Sequence, residues 1–506
     1  MSLLDHLPIL PVAIPALAAP LALLAMRRRR ALAVGIAVLS CLVQLGLALV
    51  LMARVSGGAI LAYALGDWPA PFGIVLVADR LAALMLVLTS VLALIALVHA
   101  LVTGADRKGW HFHPLFQFQL MGLNGAFLTG DLFNLFVFFE VLLIASYGLM
   151  LHGQGPARLK AGVQYVVVNL VGSALFLIAL GMLYALTGTL NMADMGLRVA
   201  AVPAADQGML RIAALLLTSV FAIKAALVPL HLWLPRTYAV STPAVAALFA
   251  ILTKVGVYSL IRVVPQVFGE GAGAAAWVPA PWLYPAALAS AVVGFAGVFV
   301  ARSLSEQAAY AVIGSTATLL VAVAGWSAQT LGAGLYYLAH STLAGAALFL
   351  VADVAARRRG SFGDAAIAGP AFPGRGMVAL MFMAAAIAAT GLPPLSGFIG
   401  KLLILMSVTT QPDWGWAWGV ILGTTLIGVI GFARTGSAVF WKVGEGAGAP
   451  PAPPSRADMI APALALALLA ALSVGAGAAS DYTKAAAAQV LDPAQTAAAV
   501  LVERAP

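Results

Sequence analysis

The sequence predicts an all-α polytopic membrane protein with about fourteen transmembrane helices. Three observations carry this expectation. The 506 residues are 63% hydrophobic and 9% charged, whereas about a quarter of a soluble domain's residues are charged. The mean hydropathy is +1.02, and apolar runs long enough to cross a bilayer recur along the whole chain. Such runs signal helices, because barrel strands leave only a weak alternation of apolar and polar residues.

Read in order, the runs fall at 8–26, 31–53, 79–101, 114–130, 132–151, 161–186, 211–239, 242–263, 281–301, 304–324, 329–354, 376–408, 416–442 and 458–476. The first has Asp5 before it and Arg27 to Arg30 after it. A signal peptide carries its positive charge in front, so this run reads as an uncleaved span whose C-terminal end faces the cytoplasm. Alternating the loops from an outside N-terminus collects Arg107, Lys108, Arg158, Lys160, Arg236, Arg302, Arg357 to Arg359, Arg375, Lys442 and Arg456 on that same face. The other face receives Arg54, Arg80, Arg198, Arg211, Arg262, Lys484 and Arg504. This asymmetry is the one that sets topology, and it places both termini outside.

Runs seven and twelve are too long for one simple crossing, and each holds prolines near a lysine: Lys224 before AALVPLHLWLP, and Lys401 after TGLPPLSGFIG. Proline frees backbone carbonyls, which a bilayer tolerates only where protein or a water-filled cavity satisfies them. Both runs therefore read as broken helices beside an internal hydrated path. They lie five spans apart, so the second runs in the opposite direction. The expected organisation is N-terminal spans in 1–113, a first five-helix repeat (spans 4–8) in 114–263, its inverted counterpart (spans 9–13) in 281–442, and a last span with a tail in 443–506.

Four ionisable residues sit deep in apolar sequence: Glu140, Lys224, Lys254 and Lys401. Each costs about 2.5–3.5 kcal/mol on insertion scales, which marks a charge pathway. One acid with several amines suits protons better than bulky solutes, because both kinds of group take up and release a proton. Glu140 alone reads as a structural carboxylate bonded to a neighbouring helix; paired with an amine it makes a switch, holding a proton when closed and releasing it when broken. His340, beside Tyr336 and Tyr337, joins the expected chain because imidazole passes protons near neutral pH. His231, in the first break, and Arg434 in span 13 are candidate lining residues.

Other functions are excluded or disfavoured. The single cysteine, Cys41, rules out an intrachain disulfide and a Cys-ligated cluster. A net charge of +9 reads as topology and contact with anionic headgroups in the lipid bilayer, with no nucleic acid as partner. His99, His111 and His113 have no third ligand at suitable spacing and read as a solvated loop, so neither metal nor cofactor is expected. Asp79, Asp131 and Asp353 fall near span ends, where helix-terminal roles are expected. The 477–506 stretch, with Asp481, Lys484, Asp492 and Glu503, reads as a surface amphipathic helix.

GDLFNLFVFFEVLLIASYGLML (130–151), WLPRTYAVSTPAVAALFAILTKVGVYSLIR (233–262) and TGLPPLSGFIGKLLIL (390–405) together resemble the proton-translocating antiporter family, in the form of the D-type subunits of the Mrp (Pha-type) multisubunit cation/proton antiporters. The resemblance covers about residues 75–445. It implies a helix-5 glutamate at Glu140, paired with a helix-7 lysine at Lys224, a relay lysine at Lys254 and an exit lysine at Lys401. It also implies exchange of H⁺ for Na⁺ or K⁺, partner subunits large and small, and a bacterial cytoplasmic (inner) membrane. The family commonly carries His-Asp-x-x-x-Lys in helix 11. Here the stretch is HSTLAG, with Ser341 and Gly345 at the acid and lysine positions, so the central relay falls to His340, Ser341, Thr342 and water. Rival readings are a redox-driven subunit of a complex I or hydrogenase-type assembly, and a scaffold whose charges only hold helices together.

Overall fold

The computed structural model describes residues 5–442, 444 and 455–501. α1 (Leu10–Met26) and α2 (Arg30–Val55) pair across a short arginine turn. A small antiparallel sheet follows, β1 (Leu61–Ala64) on β2 (Val75–Ala78), with Leu61 opposite Ala78. It is the one departure from all-α structure among the described residues. α3 (Arg80–Thr103) is N-capped by Asp79, whose carboxylate accepts from Ala82 N at 2.8 Å. α4 (Phe112–Leu128), α5 (Leu132–Leu151) and α6 (Pro156–Thr187) complete the first group.

After the short amphipathic α7 (Met192–Val199), the seventh run is broken as expected into α8 (Gln207–Lys224) and α9 (Leu234–Val240). The eighth is also interrupted, between α10 (Pro243–Phe249) and α11 (Leu252–Val267). α12 (Ala280–Val300), α13 (Leu304–Val323) and the long α14 (Ala328–Arg358) follow. The twelfth run is broken into α15 (Arg375–Thr390) and α16 (Ser396–Ser407), ahead of α17 (Trp414–Gly436). α18 (Ile460–Val474), α19 (Ala476–Val490) and α20 (Pro493–Val500) close the described chain.

Among the described residues, eleven helical stretches are long and apolar enough to cross a membrane, and Leu10–Met26, Arg375–Thr390 and Ser396–Thr410 are shorter apolar helices. α4 falls short of that measure at 17 residues, and its buried Gln117, Gln119 and Asn124 lower its hydropathy. Gln117 and Asn124 have a structural reason. Pro15 offers no N–H to the Pro11 carbonyl one turn earlier, and Asn124 Nδ2 donates to that carbonyl at 2.8 Å. Ser40 donates to Gln117 at 2.7 Å and Gln44 accepts from Asn124 at 2.9 Å, so α4 is knitted to α1 and α2. The bundle's centre is the α10–α11 stretch, wholly buried, with α13 and α14 at 89%; α2 and α17 are only one-third buried.

Several charges expected near solvent are internal. Asp79 is 1% exposed and takes both guanidinium nitrogens of Arg262, at 2.5 and 2.8 Å, so Arg262 is a buried partner of α3 and does not sit in an outer loop. Asp353 accepts from His99 and Arg357, each at 2.8 Å. Arg358 is buried on Asp458 at 2.6 Å. His99 and His113 are buried against Asp353 and Asp106 and do not form a solvated loop. Asp131 N-caps α5, as its position suggested. α19 is amphipathic, with Asp481 and Lys484 exposed, and its other face docks internally, where Ala486 and Ala487 are fully buried against α14 and α3. Glu503 and Arg504 lie outside the described residues.

Candidate functional site

Lys224 is the last residue of α8, at the first break. Its Nζ donates to Asn169 Oδ1 at 2.7 Å and lies 5.7 Å from the Phe139 ring centre. Glu140, half-buried on α5, accepts a short hydrogen bond from Ser173. The expected direct Glu140–Lys224 ion pair is absent among the described residues. Asn169 and Ser173 stand one turn apart on α6, so each takes one member of the pair and α6 mediates between them. A cavity of about 10 Å³ abuts Lys224, lined by Phe139, Tyr165, Asn169 and Trp233, which is roughly the space for one water.

The break leaves donors and acceptors that other side chains take up. Trp233 Nε1 donates to Ile223 O at 3.1 Å, and Val228 N donates to Ser290 Oγ of α12 at 2.9 Å. The aromatic face of Trp233 stacks on Tyr165. α11 crosses the break closely: a Cβ at Gly256 would lie 2.5 Å from Ala225 N and 2.6 Å from Phe221 O. Only glycine lets these backbones meet, and it brings the Lys254 helix against the end of α8.

Lys254 is fully buried and donates to Thr316 Oγ1 at 3.0 Å and Thr253 Oγ1 at 3.3 Å. It follows the interruption between α10 and α11. There Ala250 N bonds Ala247 O, Ile251 N bonds Leu248 O and Lys254 N bonds Ile251 O, a local tightening to three-residue steps. Phe249 O accepts from Tyr238 OH at 2.9 Å.

His340 and Lys401 satisfy carbonyls of the second break. Lys401 Nζ donates to Thr390 O at 2.7 Å and Thr425 Oγ1 at 2.6 Å, and sits 5.1 Å from the centre of the Phe295 ring. His340 Nε2 lies 3.1 Å from Ala388 O and Nδ1 lies 2.9 Å from Ser396 Oγ. A carbonyl only accepts, so Nε2 carries the hydrogen and Nδ1 is free to accept from the serine. Tyr337, one turn before His340 and 5.5 Å from it ring to ring, is buried with its hydroxyl beside the side chain of Thr318.

The remaining candidates divide. Ser341 and Thr342 both donate to Leu338 O of their own helix. Gly345, at the family's lysine position, faces Val312 and Ala250. His231 is half-buried in the first break with Nδ1 unpartnered. Arg434 is exposed, donates to Phe299 O and lies over that ring. Sequence reasoning missed Asn169, Ser173, Thr316, Ser396 and Thr425. Their one available signal was a polar residue inside an apolar span.

The five ionisable candidates, Glu140, Lys224, Lys254, His340 and Lys401, have neutral amides, hydroxyls and carbonyls as their polar partners. Hydroxyls and amides both donate and accept, so they serve an amine in either protonation state. No ion pair fixes any of the three lysines among the described residues.

Residues 129–429 match the model of the family described as NADH:quinone oxidoreductase/Mrp antiporter, transmembrane. A Rhizobium meliloti (strain 1021) protein, named as the D subunit of a probable K(+)/H(+) antiporter, is 41% identical over 88% of both chains. The D subunit of the Na(+)/H(+) antiporter of Bacillus subtilis (strain 168) is 34% identical over 99% of this chain and all of the other. A chain in the structure of the Mrp complex from Dietzia sp. DQ12-45-1b superposes with a TM-score of 0.87 at 28% identity, covering 99% of this chain and all of that one.

Proposed function

The chain belongs to the NADH:quinone oxidoreductase/Mrp antiporter transmembrane family, and from that premise we propose that it is the D-type subunit of a multisubunit monovalent cation/proton antiporter. It relays protons along Glu140, Lys224, Lys254, His340 and Lys401, and it is a secondary transporter subunit with no enzymatic step of its own. The observation that carries this reading is that three lysines and a histidine lie buried on neutral partners, with Lys224 at one helix break and Lys401 and His340 bonded to the carbonyls of the other. A scaffold would be expected to pair such charges, since an uncompensated buried charge is costly.

In this reading α6 passes protons between Glu140 and Lys224 through Ser173, Asn169 and the adjoining cavity. Thr316 and Tyr337 bridge Lys254 to His340, taking the place of the lysine that Gly345 replaces. Ser396 and the second break then deliver to Lys401. The half-exposure of Glu140 on an apolar face fits a surface that another subunit covers. The frame is fourteen crossings in a bacterial inner membrane with both termini outside, and two inverted repeats at 114–263 and 281–442. Relatives are named for both Na⁺/H⁺ and K⁺/H⁺ exchange, so the exchanged ion is monovalent.

The test is cation-dependent collapse of ΔpH in everted vesicles from an antiporter-deficient strain expressing the complete set of subunits. Wild type should respond to Na⁺ or K⁺, and Glu140→Ala and Lys224→Ala should abolish the response while the complex still assembles. A wild-type complex that responds to neither cation would overturn the antiporter reading in favour of redox drive.

A further inference from the structure

A second cavity lies far in kind from the proton carriers. The α1–α2 turn, the α3–α4 connection and the α5–α6 turn converge around about 550 Å³, lined by Met26, Arg30, Arg107, Lys108, Trp110 and Gln154 among others. That volume is within the range of ligand pockets, roughly 300–1,000 Å³. Its one carboxylate, Asp106, is already neutralised, accepting from Arg30 at 2.5 Å and lying 3.2 Å from His113. Arg107 and Lys108 have no ion-pair partner among the described residues, and the exposed Arg27, Arg28 and Arg29 stand at the same turn. The cations crowd one another: burial holds Lys108 below the usual amine range, with Arg357 and Arg158 pushing it the same way and Asp353 opposing them in part.

We infer that this cavity binds the phosphate of an anionic glycerophospholipid. Arg107 and Lys108 supply the donors that a phosphate oxygen takes. Trp110, 77% exposed, has the amphipathic side chain that sits at headgroup level. Leu23, one turn before Met26 on the same face of α1, is 40% exposed, an apolar surface for an acyl chain. The anion relieves the mutual repulsion of the cluster and ties three connections together at one end of the bundle.

The test uses the assembled, delipidated complex and native mass spectrometry with dioctanoyl phosphatidylglycerol, dioctanoyl phosphatidylcholine and inorganic phosphate as probes. The expected result is a preference for phosphatidylglycerol that the variant Arg107→Gln/Lys108→Gln weakens about 30-fold. Arg236→Gln/Arg302→Gln, which removes two exposed cations outside the cavity, should leave it intact. Displacement of phosphatidylglycerol by millimolar inorganic phosphate would make the ligand a soluble anion and overturn the lipid assignment. Equal binding of both lipids, or equal loss in both double variants, would overturn the site. The wild-type comparison decides the matter even if the first variant fails to assemble.

Discussion

Gly397 offers a sharp test of the central relay, because the structure fixes how far a single methyl group would move it. The residue lies in the first turn of α16, and a Cβ there would come 2.3 Å from Ala388 O and 2.7 Å from His340 Nε2. A carbon–oxygen contact needs about 3.3 Å, so Gly397→Ala must separate α16 from α15 by about 1 Å. The His340 bonds to Ala388 O and Ser396 Oγ, at 3.1 and 2.9 Å, have no slack to absorb that shift. A misplacement of about 1 Å is worth about 100-fold in rate, alongside about 1–3 kcal/mol of overpacking. The assay is Na⁺- or K⁺-driven ΔpH collapse per assembled complex, with Gly423→Ala as control, since nothing lies within 4 Å of its Cβ. A Gly397→Ala complex transporting at the wild-type rate would refute a relay through His340 at the second break.

Three further outcomes follow from particular contacts. Asn169→Leu removes the amide that accepts from Lys224 at 2.7 Å; losing a hydrogen bond to a buried charge costs about 1.5–3 kcal/mol, so the exchange rate should fall at least about tenfold. Asp79→Asn leaves Arg262 buried without its carboxylate and should lower stability by about 3–5 kcal/mol, read as the complex's thermal midpoint, while Asp79→Asn/Arg262→Met should recover most of the loss. His152, just beyond α5, is held below the usual imidazole range by burial, with Arg158 and Lys108 pushing the same way and the Ala105 carbonyl opposing. The folded state thus favours the neutral ring, so its contribution is complete above pH 6.5 and is lost as pH falls below that value. Thermal melts at about pH 7.5 and about pH 5.5, on either side of that range, should show a smaller pH dependence in His152→Gln than in wild type, and an equal one would discard this assignment.

Much of the site was legible because a charge in an apolar run is conspicuous in one dimension. Glu140, Lys224, Lys254 and Lys401 stand out by context alone, and prolines mark both breaks flanking Lys224 and Lys401. The interruption before Lys254 was not legible: neither Ala250 nor Ile251 is a helix breaker, and the three-residue steps there show only in the folded backbone. The direct Glu140–Lys224 pair was what the family resemblance implied, and hydropathy gave no check on it, since it says which residues are buried but not how their helices are rotated. α6 places Asn169 and Ser173 toward them, and no pattern in its own run says which face that is.

The sequence by itself determined the membrane class, nearly all the helices, the two broken ones and which ionisable residues are buried, because insertion energy and backbone satisfaction act locally along the chain. The tertiary structure alone decided the partners. Arg262 finds Asp79 across 183 residues, His340 and Lys401 take carbonyls from a neighbouring broken helix, and α19 docks on α14. Such choices depend on distances between helices that meet only after packing, and within the bilayer each unpaired polar group must be satisfied by whatever the fold brings beside it.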